Sequence, residues 1–199
     1  MLANPLKHTV VPEYKFTCDK LADFDFSERK VVLVTAHRRE NLGRPLENIC
    51  AAIKKLIHIY EDIFIVWPVH LNPVVRETVF SILGSIERVS LIEPLDVLDM
   101  HNLLARSFII MTDSGGLQEE APSLGKPVLV LRTETERPEV VEAGAVKLVG
   151  VEEESIFEAA SLLLTNRTEY EHMARATNPY GDGNASSRIV NAILRYFGY

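Results

Sequence analysis

Two glycines and two acids stand at the mouth of an apolar run in the stretch TDSGGLQEEAPSLGKPVLVLR (112–132). Gly115 and Gly116 strip side chains from what reads as a helix start. Unpaired backbone N–H groups and the helix dipole favour an anion at such a place. Ser114 adds a hydroxyl donor, so the chemistry suggested is a seat for a diphosphate. Glu119 and Glu120 fall within the first turn or so. Acids there offset the dipole, or one of them accepts from two neighbouring hydroxyls of a ribose, as the acid of dinucleotide folds does. Asp113 reads as the N-cap of the helix. The pattern is neither GxGxxG nor a Walker loop.

Four further stretches carry groups that could act with it. TAHRRENLGRP (35–45) places His37, Arg38 and Arg39 together. Guanidinium groups recognise phosphate oxygens through paired donors; the alternative is a solvated basic loop paired with Glu40. PVHLNP (68–73) holds His70, read from this stretch alone as a turn histidine with its hydrogen bonds satisfied. EPLDVLDMHNL (93–103) holds Leu95 and Met100, either the walls of a slot for a flat ring or part of the core. His101 has no role that spacing reveals. RTETERPEVVEAG (132–144) is a long polar loop, a common carrier of function. Arg137 in it reaches either a phosphate or a neighbouring carboxylate.

The elements that must position these groups follow a regular rhythm. Short apolar runs KVVLVTA (30–36), IFIVWPV (63–69), RVSLIEPL (88–95), FIIMT (108–112), PVLVL (127–131) and AVKLVG (145–150) read as strands. Between them lie helical patterns, such as PLENICAAIKKLIHIY (45–60) with Leu46, Ile49, Ile53, Leu56 and Ile57 on one face. NPVVRETVFSIL (72–83) opens on Asn and Pro, DVLDMHNLLARS follows the third strand, and GGLQEEAPSL is interrupted at Pro122. Strand and helix in alternation predict an α/β domain with a doubly wound, Rossmann-like parallel sheet of about six strands. The strands are apolar almost throughout, as expected of strands covered on both faces. Residues 1–29 read as an irregular or helical lead-in, residues 30–199 as the domain, and three helical segments at the end as outer packing. Ligands of such sheets sit beyond the carboxyl ends of the strands, and every stretch singled out above follows a strand.

Composition narrows the classes. The 199 residues are 47% hydrophobic and 25% charged, the profile of a globular protein. With 21 basic against 28 acidic residues the net charge is −7, which argues against a nucleic-acid partner. No apolar run is long enough to span a membrane, and the start lacks the pattern of a signal peptide. Cys18 and Cys50 have no metal-ligand or redox spacing and read as reduced thiols of a cytoplasmic protein. No metal and no cofactor are expected.

Taken in order, TAHRREN, PVHLNP, TDSGGLQEEAPSLGKPVLVLR, TERPE and NPYGDG (178–183) are more specific than any one of them. Together they resemble the C-terminal half of the non-hydrolysing UDP-N-acetylglucosamine 2-epimerases, from about Val31 to Phe197. The resemblance implies one of two Rossmann-like domains facing a cleft, as in the glycosyltransferase B fold. It implies an isomerase that interconverts UDP-N-acetylglucosamine and UDP-N-acetylmannosamine by elimination and re-addition of UDP. By residue match, Ser114, Gly115 and Gly116 hold the diphosphate and Glu120 the ribose. Arg137 and His37 face the active site, with His37 the catalytic candidate beside the leaving UDP. Leu95 and Met100 fall at the uracil pocket, where the family has an aromatic residue in place of Met100. Arg38 and His70 match positions that contact a second, regulatory UDP-N-acetylglucosamine in some bacterial members. Thr133 stands where the family has Asp.

The acids that handle the C2 proton belong to the family's N-terminal domain and have no counterpart here. The lead-in resembles the interdomain segment cut short at a Met, so the chain is expected to bind UDP without epimerising. Its expected partners are UDP, a UDP-N-acetylhexosamine, and a second copy or an N-terminal domain. Two other readings share the architecture: a glycosyltransferase donor domain and a non-catalytic nucleotide-sugar-binding partner.

Overall fold

The computed structural model describes residues 6, 8–181 and 184–198. The end of NPYGDG, at Asp182 and Gly183, lies outside the described residues. Six strands form one parallel sheet: β1 (Lys30–Thr35), β2 (Ile63–Pro68), β3 (Val89–Ile92), β4 (Ile109–Thr112), β5 (Val128–Val130) and β6 (Val146–Leu148). Their order is β3-β2-β1-β4-β5-β6. Strand order reverses at the β1/β4 pair, which opens a crevice where those two strands end. The register sets Thr35 opposite Thr112 at that point, and their hydroxyls meet at 2.6 Å.

Alternation along β1 explains why both faces are covered. Val32 and Val34 face a core formed with Ile49, Ile53 and Leu56 of α2 (Arg44–Ile59). The same core takes Val75 and Val79 of α3 (Pro73–Leu83) and Ile156 and Leu163 of α7 (Glu153–Thr165). Val31 and Leu33 face the other way, onto Leu103 and Leu104 of α4 (Val97–Arg106), Leu117 of α5 (Gly115–Glu120) and Val140 of α6 (Pro138–Glu142). A 3₁₀ segment, Ala121–Leu124, continues α5 where Pro122 cannot supply an N–H.

The helices that follow strands start on local signals. Gly43, at φ 76°, precedes α2. Asn72 accepts from the Val74 N–H at the start of α3, and Asp96 accepts from the Asp99 N–H at the start of α4. The expected third strand, 88–95, ends earlier: Glu93, Pro94 and Leu95 leave the sheet.

The lead-in holds a short helix, α1 (Asp19–Ala22), and is otherwise irregular. It is stitched to one face of α4 by residues at helical spacing. Asp99 accepts from the Tyr14 hydroxyl (2.8 Å), the Thr17 hydroxyl (2.7 Å) and the Thr17 and Cys18 N–H groups. Asn102 accepts from the Val11 N–H and donates to the Thr9 carbonyl. Arg106 donates to the Val11 and Pro12 carbonyls. Phe16 and Leu21 bury beneath this belt in the second core.

The three C-terminal helices differ. Helix α7 and Met173 of α8 (Arg167–Ala174) enter the first core. Helix α9 (Ala185–Tyr196) buries no residue, contrary to the outer packing expected of it. Ile189, Val190, Ile193 and Leu194 are each 42–58% exposed, so its apolar stripe has no covering surface among the described residues. No helix among the described residues is long and apolar enough to cross a membrane.

Candidate functional site

The residues at the β1 and β4 ends converge. Asp113 follows β4 and is fully buried. One carboxylate oxygen, Oδ2, accepts from the backbone N–H groups of His37 (2.7 Å) and Arg38 (2.8 Å) and from Asn41 Nδ2 (3.0 Å). Asn41 Nδ2 also donates to the Leu131 carbonyl. The expectation that Asp113 caps α5 is therefore corrected. Ser114 occupies the cap position without a side-chain cap bond, and the Asp113 oxygens are turned to the β1 loop. That loop, with its 3₁₀ turn Arg39–Asn41, has polar backbone beside a buried crevice and must find acceptors there.

Oδ1 of Asp113 lies 3.2 Å from His37 Nδ1, an ion-pair contact not aligned as a full hydrogen bond. Burial alone would raise the Asp113 carboxyl. The His37 ring and the Arg38 and His37 N–H groups outweigh it and hold the acid below the ordinary carboxylate range. The same contact raises His37 above the ordinary imidazole value, against burial and the Arg38 charge.

Helix α5 begins at this crevice. Its glycines are not required by the backbone, because neither has positive φ. They are not required by packing either. A Cβ on Gly116 would come no closer than 3.9 Å to Ser114 Oγ. A Cβ on Gly115 would meet only Arg38 Nη2 at 3.8 Å and Arg137 Nη2 at 3.9 Å. Two guanidinium groups thus converge over the bare first turn of a helix, where N–H groups lack intrahelical partners. Ser114 Oγ has no protein partner among the described residues. The arrangement can take a group with several negatively charged oxygens.

The arginines are held by acids from other elements. Arg137 Nε contacts Glu119 Oε1 at 2.5 Å, and Arg38 Nη2 lies 3.8 Å from Glu136. Arg132, mostly buried, pairs with Glu40 at 2.8 Å and Glu136 at 3.3 Å. The alternative reading of the HRRE loop, a basic cluster paired with Glu40, is corrected: Glu40 pairs with Arg132, and Arg38 faces Glu136. Glu119 and Glu120 lie in the second turn of α5 rather than the first, so neither offsets the dipole at the helix start.

Beside the α5 start lies a cleft of about 230 Å³. Thr35, His37, His70 and Ser114 line it on one side, and Pro94, Leu95, Met100 and Leu117 make the rest largely apolar. Leu95 leaves the sheet to reach it, and Met100 reaches it while also touching the second core. His37 and His70 stack with ring centres 5.4 Å apart and planes 11° apart. His70 Nδ1 also accepts from the Asn72 N–H, so it serves its turn and the cleft together.

Glu120, one turn beyond Leu117 on α5, is half-buried, with Oε2 3.6 Å from His101 Nε2. His101 Nδ1 pairs in turn with the Thr9 hydroxyl at 2.9 Å. Burial raises the Glu120 carboxyl, His101 opposes the rise and Glu119 adds to it. Asn41 and His101 were not singled out by sequence. Asn41 had one signal, its place four residues after His37 in the same polar string; His101 had none. A larger open depression, about 790 Å³, lies at α8 among Arg167, Glu171, His172 and Arg175. Its arginines pair with Glu171, and none of the candidate site residues lines it.

The UDP-N-acetylglucosamine 2-epimerase family profile matches residues 6–194. The chain belongs to this family. A UDP-N-acetylglucosamine 2-epimerase of Bacillus subtilis is 59% identical over 172 residues, which cover 86% of this chain and 45% of the relative. The S. aureus MnaA–UDP co-structure superposes with a TM-score of 0.89 at 51% identity, covering 96% of this chain and 52% of that one. The UDP-GlcNAc 2-epimerase of Neisseria meningitidis bound to UDP-GlcNAc gives 0.84 at 49% identity, covering 89% and 47%. The chain spans about half the length of the epimerases it matches. Its architecture is that of one half of a glycosyltransferase B type fold. Among the described residues, no cluster of side chains is arranged to hold a metal ion.

Proposed function

We propose that this chain is the UDP-binding half of an enzyme that interconverts UDP-N-acetylglucosamine and UDP-N-acetylmannosamine. The observation that carries the reading is the bare start of α5. Gly115 and Gly116 have no backbone or packing reason to be glycine, and Arg38 and Arg137 converge on the space a side chain would fill. A diphosphate fits that charge. The apolar walls of Leu95 and Met100 suit uracil, and the Glu120 carboxylate suits the ribose hydroxyls. Arg137 then exchanges its partner Glu119 for phosphate. His37 stands beside the leaving group, where its charged form would stabilise departing UDP. Arg38 beside Gly115 and His70 in the cleft wall carry groups that suit contact with a second, regulatory nucleotide sugar.

Epimerisation also needs a base for the C2 proton. No carboxylate lines the cleft among the described residues, so the acids belong to another domain or partner. Helix α9 offers an apolar stripe to that partner or to a second copy. The two unpaired thiols accord with a reducing cytoplasm.

Calorimetry with UDP tests the seat. Glu120→Ala should weaken binding by roughly tenfold or more, from the loss of a charge-assisted hydrogen bond of about 1.5–3 kcal/mol. Unchanged affinity would sink the ribose assignment. Product analysis with UDP-N-acetylglucosamine tests the activity: the chain alone should give no epimer, and transfer to an added acceptor would favour a glycosyltransferase instead.

A further inference from the structure

Asp113 does more than tie two loops together, and the division of labour between its oxygens shows it. Oδ2 is saturated by three N–H donors. Oδ1 is equally buried and has no well-aligned donor, which is costly for a carboxylate oxygen. The group within reach of it is His37 Nδ1, at 3.2 Å. His37 Nε2 has no protein partner among the described residues, and the ring lines the cleft.

A neutral imidazole carries one proton and must place it on one nitrogen. The buried oxygen stabilises the form with the proton on Nδ1. The backbone reinforces the choice, because the donors on Oδ2 come from His37 itself and its neighbour Arg38. A rotation of the carboxylate would break those bonds. Three other groups face the ring: Asp113 from β4, Arg38 from its own loop and His70 stacked from the end of β2. Of these, only Asp113 is negative and only Asp113 lies on the Nδ1 edge.

We propose that Asp113 is the positioning residue for His37: it selects the Nδ1–H form and so turns Nε2 into the cleft as the nitrogen free to meet the ligand. When the ring is neutral, Nε2 is an acceptor; when it is charged, Nε2–H is a donor. The role of that donor rests on the nucleotide reading above, whereas the tautomer does not.

The test is nitrogen NMR of the intact chain labelled in its imidazole rings, with His37 assigned by comparison with His37→Gln. At high pH the neutral His37 should carry its proton on Nδ1, and its titration should lie above the ordinary value of about 6.5. Asp113→Asn keeps an oxygen for the backbone donors but presents an amide N–H to Nδ1. The proton should then move to Nε2 and the titration should fall below that of the native chain. A native His37 protonated on Nε2 overturns the proposal without any substitution, so a folding defect in the variant cannot rescue it. An unchanged tautomer and titration in a folded Asp113→Asn chain would also overturn it. UDP is added last. Failure to bind UDP counts against the nucleotide reading alone, and the tautomer still decides the role of Asp113.

Discussion

Replacing Gly115 by Ala separates the needs of the fold from those of the ligand. The added methyl meets nothing closer than 3.8 Å, and the residue has no positive φ to strain. Alanine is favoured over glycine inside a helix by about 0.8–1 kcal/mol, and by less at the first helical position. Stability should therefore stay level or rise by up to about 1 kcal/mol, moving the melting temperature of a domain this size upward by no more than about 2–4 °C. Binding should move the other way. The methyl would stand between Arg38 Nη2 and Arg137 Nη2, at the first turn where phosphate oxygens would meet backbone N–H groups. Loss of one charge-assisted hydrogen bond costs about 1.5–3 kcal/mol, which is roughly tenfold to more than a hundredfold in Kd. The assay is a thermal melt and a UDP titration on the same preparation, with uridine as a control that lacks the diphosphate. Uridine should bind native and variant chains alike. UDP affinity within about twofold of native would refute the anion seat, since 0.4 kcal/mol or so is too little for a lost charged bond. A melting temperature several degrees lower would refute the claim that the glycine is structurally free.

Asp99→Ala should be strongly destabilising, because it orphans the Tyr14 and Thr17 hydroxyls and two N–H groups of the lead-in. A loss of about 3–5 kcal/mol is expected in urea unfolding, and a loss under about 1 kcal/mol would show that the lead-in is not held this way. Stability should also follow pH through the His37–Asp113 pair. His37 is raised by its partner, so its contribution is complete below its unfolded value and is lost as pH rises through the folded one. Asp113 is lowered, so its contribution is present above its unfolded value and is lost as pH falls through the folded one. The urea midpoint should thus peak in the mildly acidic range, and Asp113→Asn should remove the decline on the alkaline side; persistence of that decline would assign it to another group. Finally, Ile193→Glu should reduce any concentration-dependent self-association seen by light scattering, without changing stability, because α9 buries nothing. Self-association that persists unchanged would place the contact elsewhere.

Much of the fold was legible because βα alternation is a local pattern. Strands apolar on both faces and helices opened by Asn72–Pro73 or Asp96 announce themselves within a few residues. The third strand was read too long, since Pro94 and Leu95 look like a continuation of the apolar run but leave the sheet to wall the cleft. Asp113 before two glycines has the local signature of a cap. Its fate was settled by donors 75 and 76 residues away, which no local pattern records. His101 gave no signal for the same reason: Thr9 and Glu120 reach it from separate segments. Helix α9 has an apolar stripe that predicts packing, and a sequence cannot show whether the surface that stripe needs is supplied by the same chain.

The sequence by itself determined the family, the parallel sheet and the stretches that matter, because motifs, turn residues and hydrophobic periodicity are properties of neighbours along the chain. The tertiary structure alone decided which charges meet. The reversal of strand order between β1 and β4 brings the His37 loop against Asp113 and sets Arg38 and Arg137 over Gly115. Burial at that crevice leaves a carboxylate few partners, and so makes the choice of partner a matter of function.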